Sequence, residues 1–512
     1  MPSASSLLTR APARHSAARP GIELNGARTT PSPLVMAIIL TSQLMIVLDA
    51  SVIITSLPKI HDAFGFSPTS LSWVQNAYTL AFGGLLLFGA RVGDILGRRR
   101  VYLAGIAVFT LASLLGGLAP NGAWLLTTRA VQGMAAAIAA PSTLALLMMS
   151  FQGTRERMRA ISLYAAASSG GASVGLVVGG LLTDLASWRW GLFINVPIGI
   201  ALVLLAPRYL PETERNPGRF DLVGAISSTL GMTALVYGFV RAGSAGWTDR
   251  STLASFAAAA ALLAGFVLQE LRAEQPIMPL RLFASRERSG AYVARLFTVG
   301  GMFAFFFFQT QFLQNVRDYS ALKAGFAFLP MTAVLFATSR LVPKLAGAVS
   351  SGRLLVTGLS LALIAMAWTC RLSADTQYWP RIALPMMLLG LGMGIAFIPL
   401  TSSGIAGVDA KDSGAASGLV NAFHQVGGSL GLGVLVTVFG TASRNALQHQ
   451  GAGVPAALAA KQHLAHAISA ALTGSVVFLS VALLIVLVTA PGALRKVRRT
   501  EAADVTVAMS SD

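Results

Sequence analysis

Charge is what this sequence has least of. Of 512 residues, 11% are Asp, Glu, Lys or Arg, where soluble domains carry about 25%. Acids are the scarcer sign, 20 against 38 Lys and Arg. A single cysteine, Cys370, excludes an intramolecular disulfide and a cysteine metal site. Six histidines include one close pair, "HLAH" at 463 to 466, an isolated one, so a membrane-embedded metal enzyme with paired His or acid clusters is disfavoured. Neither an enzyme nor a cofactor is expected. The first 33 residues lack the apolar core of a signal peptide. Arg10, Arg14, Arg19 and Arg28 stand there among Ala, Ser, Thr and Pro, which predicts a disordered basic tail.

Apolar residues are abundant: 54% of the chain is hydrophobic and the mean hydropathy is +0.67. A bilayer core needs roughly 20 apolar residues per crossing helix, and such windows recur along the whole chain. They lie near 34–58, 71–90, 100–119, 122–148, 159–183 and 190–207, then 221–241 and 252–270, then 290–315, 324–343, 352–370, 381–403, 413–440 and 466–490. The expected fold is all-α and membrane-integral, with fourteen transmembrane helices. It divides into a cytoplasmic tail (1–33), a six-helix bundle (34–207), a linker holding a helix pair (208–289), a second six-helix bundle (290–490) and a C-terminal tail (491–512).

The net charge of +18 would point to nucleic acid in a soluble protein, but the placement of the basic residues gives another reason for it. With the N-terminus in the cytoplasm, 25 of the 38 Lys and Arg fall in inside segments and 10 in outside segments, leaving Arg129, Arg295 and Arg340 within spans. That asymmetry is the positive-inside rule at work. It supports an even span count with both termini cytoplasmic, and nucleic acid is not an expected partner. The bias thins in the second half, where Lys411 stands alone in its loop.

Ionisable residues deep in a bilayer cost at least ~2.5 kcal/mol on insertion scales and mark functional sites by default. One acid qualifies. Asp49, in "IVLDASVIITSLPKI", lies roughly 13 Å below the outer end of the first span, and Arg129, in "LTTRAVQGMAAAIAAP", roughly 10 Å below that of the fourth. The two depths nearly match, so the pair can bond directly or through Gln132, one turn further along the Arg129 face. A proton on Asp49 would weaken the pair; the alternative is a static ion pair that fixes packing. His424, in "NAFHQVGGSLGLG", falls near mid-membrane, either as a titrating group or as a neutral side chain bonded between helices. In "GGMFAFFFFQTQFLQN", a run of four Phe covers every helix face, so some rings are expected to meet lipid while Phe305, Phe308, Gln309 and Gln311 are candidates to line a binding cavity. In the cytoplasmic turn "ARVGDILGRRR", Asp94 is expected to cap a helix or pair with Arg98 at a gate, with Gly93, Gly97 and Arg99 as its companions. "GGASVGLVVGG" sets Gly171, Gly175 and Gly179 on one helical face, followed by Gly180.

In their order, these stretches resemble the major facilitator superfamily over about residues 34 to 490, and the six, two, six arrangement resembles its fourteen-span drug:proton antiporter family. "LDASVIITSLP" is similar to the first-helix motif through Asp49 and Pro58, with Ile54 where an asparagine is common. "ARVGDILGRRR" resembles the loop motif, with Ala90 replacing its leading glycine. "RAVQGMAAA" resembles the fourth-helix motif, whose arginine the resemblance implicates in proton transfer, and "SWRWGLFINVPIG" (187–199) is typical of the fourteen-span branch. The glycine stretch resembles the fifth-helix antiporter motif with Leu176 in place of its proline. Packing, rather than a kink, is then expected to carry it. The resemblance sets this strip against the second span of the other bundle, where Gly325, Ala333 and Ala337 are also small.

These readings lead to an expectation of proton-coupled export of lipophilic small molecules, drugs or antibiotics, by alternating access. With one deep acid, few protons per cycle are expected, and neutral or singly charged aromatic substrates rather than dications. Proton-coupled nutrient uptake on the same fold, and a non-transporting membrane sensor, are the alternatives. Protons, lipophilic substrates and membrane lipids are the expected partners of a protein that functions as a monomer in a bacterial cytoplasmic membrane.

Overall fold

The computed structural model describes residues 33–151, 153–212, 220–274, 276–345, 349–409, 412–448 and 455–489. The basic N-terminal segment, Lys411 and the expected tail at 491–512 lie outside these described residues. Among the described residues there is no strand, and fourteen stretches are long and apolar enough to cross a membrane. The protein is a multi-pass membrane protein.

The first group comprises α1 (Pro33–Phe64), α2 (Trp73–Leu96), α3 (Arg98–Gly117), α4 (Gly122–Ser150) and α5 (Thr154–Leu185), then a sixth span broken into α6 (Trp190–Phe193) and α7 (Asn195–Tyr209). A hairpin follows, α8 (Leu222–Ala245) and α9 (Arg250–Arg272). The second group comprises α10 (Arg286–Gln311), a span broken into α11 (Ala321–Ala327) and α12 (Leu329–Leu345), α13 (Ser351–Thr369), α14 (Ala383–Ile405), α15 (Ser413–Gln448) and α16 (Ala456–Thr489). Every expected span falls on a helix. The ends differ where helices continue past their apolar windows: α1 runs on to Phe64 and α16 begins at Ala456, which puts "HLAH" inside a helix rather than at its start. Hydropathy detects the crossing segment; backbone hydrogen bonding carries the helix into the interfacial zone.

Local chemistry sets several boundaries. Asn121 Oδ1 accepts from Trp124 N at 2.9 Å to start α4, and Asp221 Oδ1 accepts from Gly224 N at 2.8 Å to start α8. Asp249 does the same for α9 through Thr252 N; the Arg241 guanidinium bonded to it holds its carboxyl below the usual carboxylate range. Gly97 ends α2 at φ +100°, a conformation L side chains rarely adopt, and starts α3 directly.

Within the first group α4 packs on α1, α2, α3 and α5, and within the second α14 packs on α10, α12, α13 and α15. The groups meet instead through α1, α2 and α5 on one side and α10, α11, α12 and α15 on the other. At the face where α1 ends, Gln314 Nε2 donates to Thr55 O at 2.9 Å. There Asp184, at the end of α5, accepts from the backbone N of Ala321 at 3.1 Å and of Leu322 at 2.8 Å, taking the N-terminus of α11 from across the divide. Helix α2 crosses to α15, with Thr79 bonded to Ser429 and Gly83 against Gln425. Helix α8 covers that seam, where Thr437 bonds Phe239 O, and α9 packs on α8.

The four-Phe run is where the structure departs most from expectation. Phe305 and Phe308 are fully buried, Phe307 nearly so and Phe306 partly. Three of the four rings are enclosed by protein, and Phe306 alone keeps part of its surface uncovered. Phe305 meets Phe328 edge-on at 6.4 Å, and Phe308 stacks on Phe439 at 5.3 Å. The three buried rings are covered because α10 packs on α14, α15 and α16.

Candidate functional site

The deep acid and the deep arginine meet. Asp49, on α1, is 1% exposed, and Arg129, on α4, is fully buried. Arg129 Nη1 donates to Asp49 Oδ2 at 2.6 Å and to Gln132 Oε1 at 3.1 Å. Gln132 Nε2 in turn donates to Asp49 Oδ1 at 3.1 Å, so the single turn from Arg129 to Gln132 presents both to one carboxylate. A fourth member comes from α7: Asn195 Nδ2 donates to Asp49 Oδ1 at 2.8 Å. Ser113 of α3 accepts from both amides, at 3.1 Å from Gln132 and 3.0 Å from Asn195.

Helix α2 completes the setting. Arg129 Nε donates to Val74 O at 3.2 Å, and its guanidinium lies 4.4 Å from the centre of the Tyr78 ring. This reach depends on close backbones. A Cβ on Gly133 would stand 2.2 Å from Tyr78 O, and one on Gly89 would stand 2.1 Å from Ala137 O. Five helices thus converge on one carboxylate that accepts three donated hydrogen bonds. A charge-assisted pair this enclosed is stable only because its lone pairs are filled. Protonating Asp49 would cancel the ion pair and present a donor to a shell made of donors. Arg129 Nη2, the Tyr78 hydroxyl and Asn195 Oδ1 remain without hydrogen-bond partners.

Ser113 and Asn195 are the members sequence reasoning missed. Both are uncharged and sit inside apolar windows. Asn195 falls within "SWRWGLFINVPIG", and an amide in so apolar a stretch was the available signal.

His424 is elsewhere. It lies on α15 beside Arg295 of α10, with Nδ1 3.4 Å from Arg295 Nη2, between the rings of Phe303 and Phe397. The structure does not bring it to Asp49. Gln309 and Gln311 are buried near the Phe run, with both amide atoms of Gln309 and Nε2 of Gln311 unpartnered. Two surface clefts, one lined by Lys59, Asp184 and Trp188 and the other by Leu34, Pro197 and Leu205, lie away from all of these.

In the loop motif Arg98 Nη2 donates to Asp94 Oδ1 at 2.5 Å across the Gly97 turn, joining α2 to α3. Gly93 makes room, since a Cβ there would lie 2.9 Å from Arg98 Cδ. Arg99 N donates to Glu212 Oε1 at 3.2 Å, and its Nη1 donates to Leu210 O at 3.1 Å. The motif is thereby tied to the end of α7 through Glu212, an acid sequence reasoning left unassigned.

The glycine strip packs differently from the arrangement expected. A Cβ on Gly171 would meet Leu44, one on Gly175 would meet Ser51 Oγ at 1.9 Å, and one on Gly179 would meet Thr55 and Val52, all on α1. The strip therefore faces its neighbour within its own group. Gly180 and Leu176 reach across: a Cβ on Gly180 would lie 2.4 Å from Ala321 O, and one on Gly325 would lie 2.5 Å from Leu176 O. Ala333 and Ala337 are exposed and take no part in this seam. Three glycines at four-residue spacing make one face, and one face fits one neighbour; Gly180, a residue further on, points to the next.

Comparison with known proteins agrees with this architecture. The Major Facilitator Superfamily model matches residues 39–432. The chain is 38% identical over 476 residues to Puromycin resistance protein pur8 of Streptomyces alboniger, covering 92% of each chain. It is 39% identical over 420 residues to Cephamycin export protein CmcT of Amycolatopsis lactamdurans, covering 81% of this chain and 86% of that one. Among solved structures, the inward-facing, unoccupied bacterial homolog of the human lysosomal transporter Spinster superposes with a TM-score of 0.65 at 16% identity, covering 91% of this chain and 98% of that one. That likeness is one of fold. The chain belongs to the Major Facilitator Superfamily, in the fourteen-span branch whose matched relatives are named for antibiotic resistance and export.

Proposed function

We propose that this transporter exports lipophilic small molecules, antibiotics among them, in exchange for protons, with Asp49 as the proton-carrying group. The observation that carries the reading is the carboxylate itself: midway along a helix long and apolar enough to cross a membrane, 1% exposed, and held by Arg129, Gln132 and Asn195 from two other helices. A group placed there at such cost has a use beyond packing. Deprotonated, Asp49 ties α1 to α4 and α7. A proton cancels the attraction to Arg129, loosens α1 and permits the two six-helix bundles, 34–207 and 290–490, to rock about the substrate. The linker pair within 208–289 rides on the α2 and α15 seam. Arg129 supplies the counter-charge to the deprotonated carboxylate, and Gln132 keeps it aligned.

In this scheme the chain lies in a bacterial cytoplasmic membrane with both termini inside, as the basic asymmetry supports. The Asp94, Arg98 and Arg99 turn is then the cytoplasmic gate element, and the Asp184 contact is the outer latch. Gln309 and Gln311, with unpartnered amide atoms, are the substrate-facing polar groups; Phe305 and Phe308 join them when the bundles part. His424 acts with Arg295 rather than with Asp49.

Expression in a pump-deficient host, challenged with puromycin, a cephamycin and aromatic dyes, tests the exporter reading. Protection by wild type and its loss with Asp49→Asn is the expected result; no protection against any compound overturns it.

The latch gives a further prediction. Asp184→Ala removes both bonds to the N-terminus of α11. A carboxylate at a helix N-terminus contributes on the order of 1 kcal/mol, about a fivefold shift in population. Val177→Cys, in a Cys370→Ser background, should then react about fivefold faster with a membrane-impermeant maleimide from outside. An unchanged rate would remove the latch.

A further inference from the structure

The second group carries a buried cation with no acid to match it. Arg295 is 7% exposed, nine residues into α10. Its Nη1 donates to Thr401 Oγ1 at 2.8 Å, its Nη2 lies 3.4 Å from His424 Nδ1, and its guanidinium is 5.7 Å from the Phe397 ring centre. Its Nε has no partner. Among the described residues no carboxylate is paired with it, whereas Arg129 has Asp49 at 2.6 Å. A guanidinium has five N–H donors, and this one spends two on neutral acceptors.

The neighbours of Arg295 are less enclosed than the arginine itself. Packing of α10 on α16 uses Gly290, Phe297 and Gly301, and Arg295 stands on the face turned toward α14 and α15. Thr401, His424 and Phe303 around it are only half-buried. Both polar neighbours are already committed in ways that position the arginine and do not neutralise it. Thr401 Oγ1 donates to Phe397 O at 2.8 Å while accepting from Arg295. His424, accepting at Nδ1, carries its proton on Nε2 and is a second donor. A membrane-buried charge without a counter-charge is stable in the presence of a ligand that supplies one.

We propose that Arg295, positioned by Thr401, binds together with His424 the oxyanion of a lipophilic ligand, a carboxylate or a phosphate ester, while the rings of Phe303 and Phe397 receive its apolar part. The proposal rests on the exporter reading and narrows its substrate class to acids, with dications disfavoured by the unmatched positive charge. A lipid phosphate is a second source of the same chemistry.

The test uses the full chain in phosphatidylcholine nanodiscs, with dansyl-labelled aminobenzoate and its methyl ester as fluorescent probes. The acid is expected to bind about tenfold or more tightly than the ester, the scale of a charge-assisted hydrogen-bond pair. Arg295→Gln should bring the acid down to the ester's affinity and leave the ester unchanged. Equal affinities in wild type, or a preference that survives Arg295→Gln, overturn the site. Where Arg295→Gln fails to run as a single species on gel filtration, Arg295→Lys decides. A point charge cannot reproduce the fork, so its acid preference should fall; an unchanged preference overturns the site. Exchanging part of the phosphatidylcholine for phosphatidylglycerol separates the sources. Displacement of the acid probe assigns the site to lipid phosphate as well, and no displacement restricts it to soluble acids; both uphold it. The susceptibility panel stands apart from this assay: protection without acid preference overturns the anion site alone, and acid preference without protection overturns the exporter reading alone.

Discussion

Asp49→Asn is expected to abolish efflux driven by a pH gradient while the protein still inserts. The carboxylate accepts at both oxygens, from Gln132 and Asn195 at Oδ1 and from Arg129 at Oδ2. An amide of the same shape has one acceptor, so one donor is left facing an NH2 group and the Arg129 charge loses its counter-charge. Removing one member of a buried pair costs about 3 to 5 kcal/mol. A fall of several degrees in Tm should therefore accompany the loss of transport, and Asp49→Glu should recover part of both. Efflux in everted vesicles checks the first effect and thermal unfolding in detergent the second. Normal pH-driven efflux by Asp49→Asn would refute the assignment of the proton to this residue.

Gly175→Leu is expected to damage folding itself. The first added carbon would lie 1.9 Å from Ser51 Oγ and 3.1 Å from Leu48 O, so α1 and α5 must separate. Overpacking costs typically 1 to 3 kcal/mol, and here it displaces the helix that carries Asp49. Folded yield and Tm should both fall. Gly325→Leu is the instructive contrast, because its neighbour is Leu176 O at 2.5 Å, across the divide between the groups. Its yield should stay near wild type while the outer face spends more time open, read as faster maleimide labelling of Val177→Cys. If Gly175→Leu folds like wild type, the glycine strip is not the packing surface of α1.

The fourteen spans were legible because each is a run of apolar residues about as long as a bilayer is thick, and that length is a property of the chain alone. Asp49 and Arg129 were legible for the complementary reason: a charge in such a run is conspicuous. The rest of their site was not. Ser113 and Asn195 carry no charge, and the sequence does not say that α3 and α7 turn those side chains toward α1. The glycine strip shows the same division. Its spacing identifies a close-packed face, but only the assembled bundle shows that the face meets α1 while Gly180, one residue on, meets α11. Arg295 was visible as a basic residue inside a span. Its meaning came from what surrounds it, Thr401 and His424 instead of an acid, and a sequence does not display the absence of a neighbour.

The account's central claim is that one carboxylate exchanges its proton for the drug. With the compound that gives the greatest protection in the susceptibility panel, the direct measurement is proton release from the purified protein on drug binding, followed with a pH indicator in weakly buffered detergent solution. The account predicts release of about one proton per drug bound by wild type, in keeping with a single deep acid, and none by Asp49→Asn. Equal release from the two proteins would contradict it.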